Sequence, residues 1–265
     1  MARRRFYAPP DNIDGSAITL SPHETHHLIQ VLRLTPGDEV FVFDGCGAEY
    51  RCSFRRVEND RAHLEIAEPL SDLVDSPLDL SLAQALAKGD KFDFIVQKAT
   101  ELGVSRIVPL VTRYADVRLD EQQKPKRVER WRRISLEAMK QCGRRRLVEI
   151  AEPLTIRQLI STQENAGVSG SGIRRAMLVF SARGGLSVHD ALAEVKMPCA
   201  VFALIGPEGG WSDDELEALN DHGCKAVTLG PRVLRTETAA LVGLTLIQHE
   251  LGDLSPRTNE QTDVT

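Results

Sequence analysis

Two glycine-bearing stretches carry the residues best able to shape a ligand site. The first, LIGPEGGWSDDEL at residues 204–216, leaves an apolar run and turns through Gly206, Gly209 and Gly210. It then reaches Ser212 and Glu215, spaced as a capping box that starts a helix. The second, GPRVLRTETAA at residues 230–240, also joins a strand end to a helix. Glycine permits sharp turns and lets backbone N–H and C=O groups come close to a ligand. In open α/β sheets ligands sit beyond the carboxyl ends of the strands, so two such loops can wall one pocket. Strand, turn and capped helix suit a nucleotide, yet the lysine of a phosphate loop and the GxGxxG spacing are both missing. Glu208, in the middle of the first turn, would repel a polyphosphate. The two loops therefore predict a nucleotide-like ligand without strong negative charge. For Glu208 itself, a bond to loop N–H groups that fixes the turn is favoured over ligand contact.

The elements that must hold these loops are legible as a change of pattern along the chain. Up to about Pro69 the sequence reads as short strands and turns: EVFVFDG, then YRCSFRRV and RAHLEIAE around a turn at residues 58–60. One helix is predicted there, SPHETHHLIQVLRL, with Ser21 as cap and Pro22 at its first position. Its three histidines, His23, His26 and His27, read as structural or RNA-facing groups before they read as metal ligands or acid–base groups. From Leu78 onward strands alternate with helices, and AMLVFSA, AVFALIG and KAVTLG read as buried strands of a mostly parallel sheet. The last helix, ETAALVGLTLIQHEL, is apolar nearly all round and so is central to the core or an interface. These patterns predict a small β-barrel-like domain at residues 1–72, an α/β domain at 73–254 and a disordered tail at 255–265.

Composition narrows the classes. The chain has 265 residues with 42% hydrophobic and 27% charged residues, ordinary for a globular protein. No apolar run suits a membrane span or a signal peptide, and five scattered cysteines suggest isolated thiols rather than a disulfide frame or zinc site. A cytoplasmic protein without metal is expected. The net charge of −5 argues against nucleic acid, but its distribution does not. Residues 124–146 hold ten Lys/Arg against two Asp/Glu, and Arg3, Arg4 and Arg5 form a second basic cluster. Two basic clusters on an acidic body look like a phosphate-backbone footprint, against the alternative of a solvated face.

LIGPEGGWSDDEL together with VTLGPRVLRTETAA resembles the signature of the RsmE family, ribosomal RNA methyltransferases acting on N3 of a uridine in 16S rRNA. HHLIQVLRLTPGDEVFVFDG, KGDKFDFIVQKATELGVSRIVPLVT and RWRRISLEAMKQCGRR are similar to family segments as well. Trp211 stands where the family has phenylalanine, and Val148 where many members have proline. The resemblance implies a SPOUT-type parallel sheet with a C-terminal trefoil knot, preceded by a PUA-like barrel. It also implies a homodimer, packed through the last helix around Leu244, with S-adenosylmethionine as methyl donor. The cofactor would then meet Phe180, Ser181, Leu204, Ile205, Gly206, Gly209, Leu229, Gly230 and Leu234. Arg235 and Glu237 are the candidate catalytic residues, a guanidinium fork for phosphate or uracil carbonyls and a carboxylate for the N3 proton. Near a helix start, a residue such as Glu237 is more often a cap or dipole partner than a base. Arg3, Arg4, Arg5, Arg33, Arg130, Arg144, Arg145 and Arg146 are the expected RNA contacts, on 16S rRNA or the small subunit. A non-catalytic RNA-binding protein, or a methyltransferase acting on another RNA, is the alternative.

Overall fold

Alternating apolar and polar residues give the N-terminal strands one face to bury, and the chain folds them into a single curled sheet. The computed structural model describes residues 3–71, 75–115, 117, 120–167, 174–196 and 199–255. The strands are β1 (Arg5–Tyr7), β2 (Ile13–Asp14), β3 (Ala17–Thr19), β4 (Glu39–Phe43), β5 (Glu49–Glu58) and β6 (Arg61–Pro69), in the order β1-β4-β5-β6-β3-β2. Only β1 against β4 is parallel. Two register shifts in β5 help to curl the sheet into a half-barrel. Phe6, Ile18, Leu20, Val40, Phe54 and Leu64 fill its core. The predicted helix begins where expected: Ser21 accepts from Glu24 N, and Pro22 opens α1 (Pro22–His26). It then widens into a π-helical turn, His27–Val31, and ends at Arg33, whose φ is 56°.

The second unit is built on a parallel sheet. Its strands are β7 (Asp79–Ala85), β8 (Arg106–Val111), β9 (Glu149–Ile150), β10 (Leu154–Thr155), β11 (Arg174–Phe180), β12 (Cys199–Ile205) and β13 (Lys225–Val227). Their order is β10-β8-β7-β12-β11-β13, with β9 also on β8, and every pairing is parallel. The helices are α2 (Lys91–Glu101), α3 (Gln123–Cys142), α4 (Ile156–Gly167), α5 (Val188–Leu192), α6 (Asp213–Asp221) and α7 (Thr236–Leu251). The run CAVFALI is buried at every position, as a central strand covered on both faces must be. Trp131 of α3 is 1% exposed, stacked on Phe92 at 4.4 Å and bonded to Asp93, so it is core.

The chain divides into two compact units, Met1–Asp75 with Leu136–Leu147, and Ser76–Ser135 with the residues from Val148 on. The last turns of α3 and the arginine run that follows are thus grouped with the half-barrel, which a reading along the sequence did not foresee. The tail expected at 255–265 lies outside the described residues from 256 on.

Candidate active site

β12, β11 and β13 are neighbours in the sheet, so the loops leaving their carboxyl ends meet. They enclose a cleft of about 290 Å³. The capping box reads as predicted: Ser212 Oγ accepts from Glu215 N, and the Glu215 carboxylate accepts from Ser212 N at 2.9 Å. That fixes where α6 starts and therefore where the turn of Gly206 to Gly210 must close. Trp211, 4% exposed, donates from Nε1 to Phe180 O at 2.9 Å and ties this turn to β11. A Cβ on Gly206 would stand 3.0 Å from that indole, and one on Gly209 would stand 2.9 Å from Tyr114 Cβ. Gly230 has φ +96°, in the left-handed region, with open space around it. The second loop is pinned from inside. Thr236 Oγ1 donates to Gly206 O at 2.7 Å and accepts from Gln84 Nε2 at 2.9 Å.

Among the expected cofactor residues, Phe180, Ser181, Ile205, Gly206, Gly209, Leu229, Gly230 and Leu234 line this cleft. Leu204 does not; it is fully buried in the core cluster with Ala83, Val108 and Phe202. Sequence reading missed Arg183, Trp211, Arg232, Val233 and Thr236 on the lining. It also missed Gly243, where a Cβ would press on the Phe180 ring at 2.9 Å. The capping-box spacing pointed at Trp211; Arg183 and Arg232 carry no comparable signal.

At the rim the charged groups gather on one lysine. Glu208 lines the cleft, and its carboxylate accepts from Lys91 Nζ at 2.6 Å. Lys91 Nζ also lies 3.8 Å from Glu237 Oε2. Hydrogen bonding to Glu208 raises the Lys91 pKa, with the Glu208 and Glu237 charges adding, while burial and Arg235 oppose. Arg235 is exposed, in the N-cap position of α7, and is not on the cleft lining. Glu237 is half-buried and is not on the cleft lining either, and its Oε2 has no hydrogen-bond partner among the described residues. A cluster of three or more metal-binding side chains does not occur among the described residues.

Residues 74–248 match the model of an RNA methyltransferase domain, and residues 20–67 match that of an RNA methyltransferase PUA domain. The chain belongs to this RNA methyltransferase family. A ribosomal RNA small subunit methyltransferase E of Synechocystis is 34% identical over 92% of this chain and 76% of its own. A methyltransferase structure from Legionella pneumophila, in complex with the bound cofactor SAM, superposes with TM-score 0.84 and 33% identity. It covers 96% of this chain and all of the other. A ribosomal RNA small subunit methyltransferase E of Neisseria gonorrhoeae bound to S-adenosyl methionine gives TM-score 0.82 and 30% identity, with the same coverage.

In this RNA methyltransferase the basic clusters need correcting as RNA contacts. Arg5, Arg144 and Arg145 are 7%, 6% and 3% exposed. Arg5 donates to Glu49 at 2.6 Å and to the carbonyls of Met139 and Arg144, at 2.5 and 2.9 Å. Arg145 takes the other oxygen of Glu49 at 3.0 Å, and Arg144 pairs with Asp75 at 3.1 Å. Their side chains are buried against Glu49 and Asp75 and present no exposed guanidinium to a phosphate. Arg3, Arg4, Arg33 and Arg146 are exposed; Arg3 sits over Phe41, and Arg4 lies 3.5 Å from Asp38. Arg130 is half-exposed and paired with Asp93. Leu244 also needs reassignment, since it is fully buried in the chain's own core. Val242 and Leu246, each 37% exposed, are the outward apolar positions of α7.

Proposed function

We propose that the chain transfers a methyl group from S-adenosylmethionine to N3 of a uridine in small-subunit 16S ribosomal RNA, in the cytoplasm and as a homodimer. The observation that carries this reading is the cleft at three adjacent strand ends, walled by glycine turns and bearing both guanidinium and carboxylate groups on its lining. The lining fits the cofactor's chemistry. Phe180, Ile205, Leu229 and Leu234 offer apolar walls to adenosine, and the turns present backbone groups to its polar edge. Arg183, paired with Asp213, and Arg232 put guanidinium charge on the lining, and Glu208, bonded to Lys91, puts a carboxylate there. A ligand with both signs of charge matches that mixture better than a polyphosphate does.

When bound, S-adenosylmethionine supplies an electrophilic methyl on a sulfonium and leaves as S-adenosylhomocysteine. The chain's own task is to orient the uracil and to remove its N3 proton. Glu237 is the acceptor in this reading, because a donor N–H completes the unpartnered Oε2. Arg235, exposed beside it, holds an RNA phosphate or a uracil carbonyl. Residues 1–72 act as the RNA-binding module and 73–254 as the knotted methyltransferase domain. The outward face of α7 at Val242 and Leu246 meets a second copy.

The test is mass-spectrometric mapping of rRNA from cells lacking the protein, with restoration by purified protein and S-adenosylmethionine on the small subunit. Loss and return of one N3-methyluridine in 16S rRNA is expected. An unchanged modification map refutes the enzymatic reading and leaves an RNA-binding protein. A lost methyl at another atom or RNA refutes the uracil-N3 assignment.

A further inference from the structure

We propose that Lys91, the first residue of α2, is a catalytic cation that faces the uracil and balances the negative charge left when N3 loses its proton. The inference rests on the uridine-N3 reading above. Three elements converge on this ammonium: its own helix start, the glycine turn through Glu208, and the start of α7 through Glu237 and Arg235. The Glu208 bond at 2.6 Å is a hydrogen bond; the Glu237 approach at 3.8 Å is Coulombic contact without one. Lys91 is thus held on one side by the cleft's own lining and stands open on the other, with its side chain 36% exposed. An ammonium has three donors, so the bond to Glu208 leaves others for a ligand oxygen.

The proton balance gives this lysine its work. The N3–H proton passes to the Glu237 carboxylate, which becomes neutral, and the pair of electrons stays on the uracil. The charge spreads from N3 over the two flanking carbonyl oxygens. Before the transfer Lys91 faces the charge of Glu237; after it that charge sits on the uracil. A fixed cation beside the proton acceptor, 3.8 Å from Glu237 Oε2, stabilises the shifted charge without reorganising solvent. Glu208 keeps the ammonium in place and protonated throughout, which is the direction of its displaced pKa. The charged groups facing Lys91 are Glu208 from the β12 turn and Glu237 and Arg235 from α7.

The experiment compares wild type, Lys91→Met and Lys91→Arg on small subunits, with kcat, KM and S-adenosylmethionine affinity measured across pH. Lys91→Met is expected to lower kcat at neutral pH by about 100-fold, the usual loss for one electrostatic donor. Its cofactor affinity stays close to wild type. The deficit narrows towards alkaline pH, where uracil N3 ionises unaided, and Lys91→Arg restores part of the rate. A loss that is equal at every pH, weakened cofactor binding, or failure of every Lys91 variant to fold shows that the lysine only braces the turn and overturns the proposal. The two readings fail separately. If wild type makes N3-methyluridine and Lys91→Met matches it, only the lysine assignment falls. If wild type methylates a different atom, the uridine-N3 reading falls whatever Lys91 does.

Discussion

Glu49 in the half-barrel is 2% exposed and has a guanidinium on each oxygen, Arg5 at 2.6 Å and Arg145 at 3.0 Å. Glu237 in the methyltransferase unit is 18% exposed, and its buried Oε2 lies 3.8 Å from the Lys91 ammonium without a hydrogen bond. Both are acidic residues beside arginine or lysine, yet they do opposite work. A carboxylate with both oxygens filled has no capacity left for a ligand and serves the fold. One with an unfilled buried oxygen keeps capacity for a donor that arrives with substrate. The contrast extends to the cations: Arg5, Arg144 and Arg145 are buried in the first unit, while Lys91 is open to solvent on one side in the second.

The largest expected effect lies in the filled site. Glu49→Gln leaves Arg5 and Arg145 buried without their counter-charge, which costs about 3–5 kcal/mol. Two thiols report the units separately. Burial pushes Cys52 in the half-barrel up to about 12 and Cys224 in the other unit up to about 11, so neither reacts while its unit is folded. In Glu49→Gln, alkylation of Cys52 should begin at lower denaturant than in wild type, while Cys224 keeps its protection. Unchanged protection of Cys52 would mean that the ion-pair network adds nothing to stability.

A smaller effect is expected at the cleft, and it should appear in binding before it appears in stability. Gly206→Val drives side-chain atoms into the Trp211 indole, already 3.0 Å from a Cβ at that position. Gly230→Ala meets no atom, so its cost is the backbone alone, about 1–3 kcal/mol for an ordinary residue in a sparsely allowed region. If that cost falls on the loop that receives the ligand, S-adenosylmethionine affinity drops about 5- to 150-fold. Calorimetry on the folded variants measures it. Equal affinity in both variants would remove these turns from the cofactor site.

What could be read in advance follows the range of the interaction. The capping box of Ser212 and Glu215 spans three residues, and the glycine turns are local, so the cleft's walls were legible. Leu204 and Ile205 were not separable, because β12 is buried on both faces and both positions must be apolar; only the alternation of the strand sends Ile205 to the cleft and Leu204 to the core. Arg5 and Arg145 misled because Glu49 stands 44 and 96 residues away from them. A run of arginines shows its charge in the sequence but not its partners. Lys91 was hidden for the same reason, 117 residues from Glu208. The widening of α1 into a π-helical turn was also illegible, since apolar spacing along a helix does not report one inserted residue.

The smallest effect concerns the arginines that remain outside the buried network. Arg3, Arg4, Arg33 and Arg146 are exposed and belong to the half-barrel unit. If they track a phosphate backbone, each contact releases condensed counterions, and affinity for single-stranded RNA falls by about 0.7 log units per log unit of salt for each. Replacing all four with Gln should weaken RNA binding, flatten that slope by up to four such contributions and leave cofactor affinity unchanged. Arg144→Gln with Arg145→Gln makes the opposite pattern: both side chains are buried on Asp75 and Glu49, so stability falls and the slope stays. RNA affinity measured at several salt concentrations for wild type and both variants separates the two sets. A slope that changes in the buried pair and not in the exposed four would return the RNA footprint to the arginine run at 144–146 and break the division between structural and ligand-facing charge.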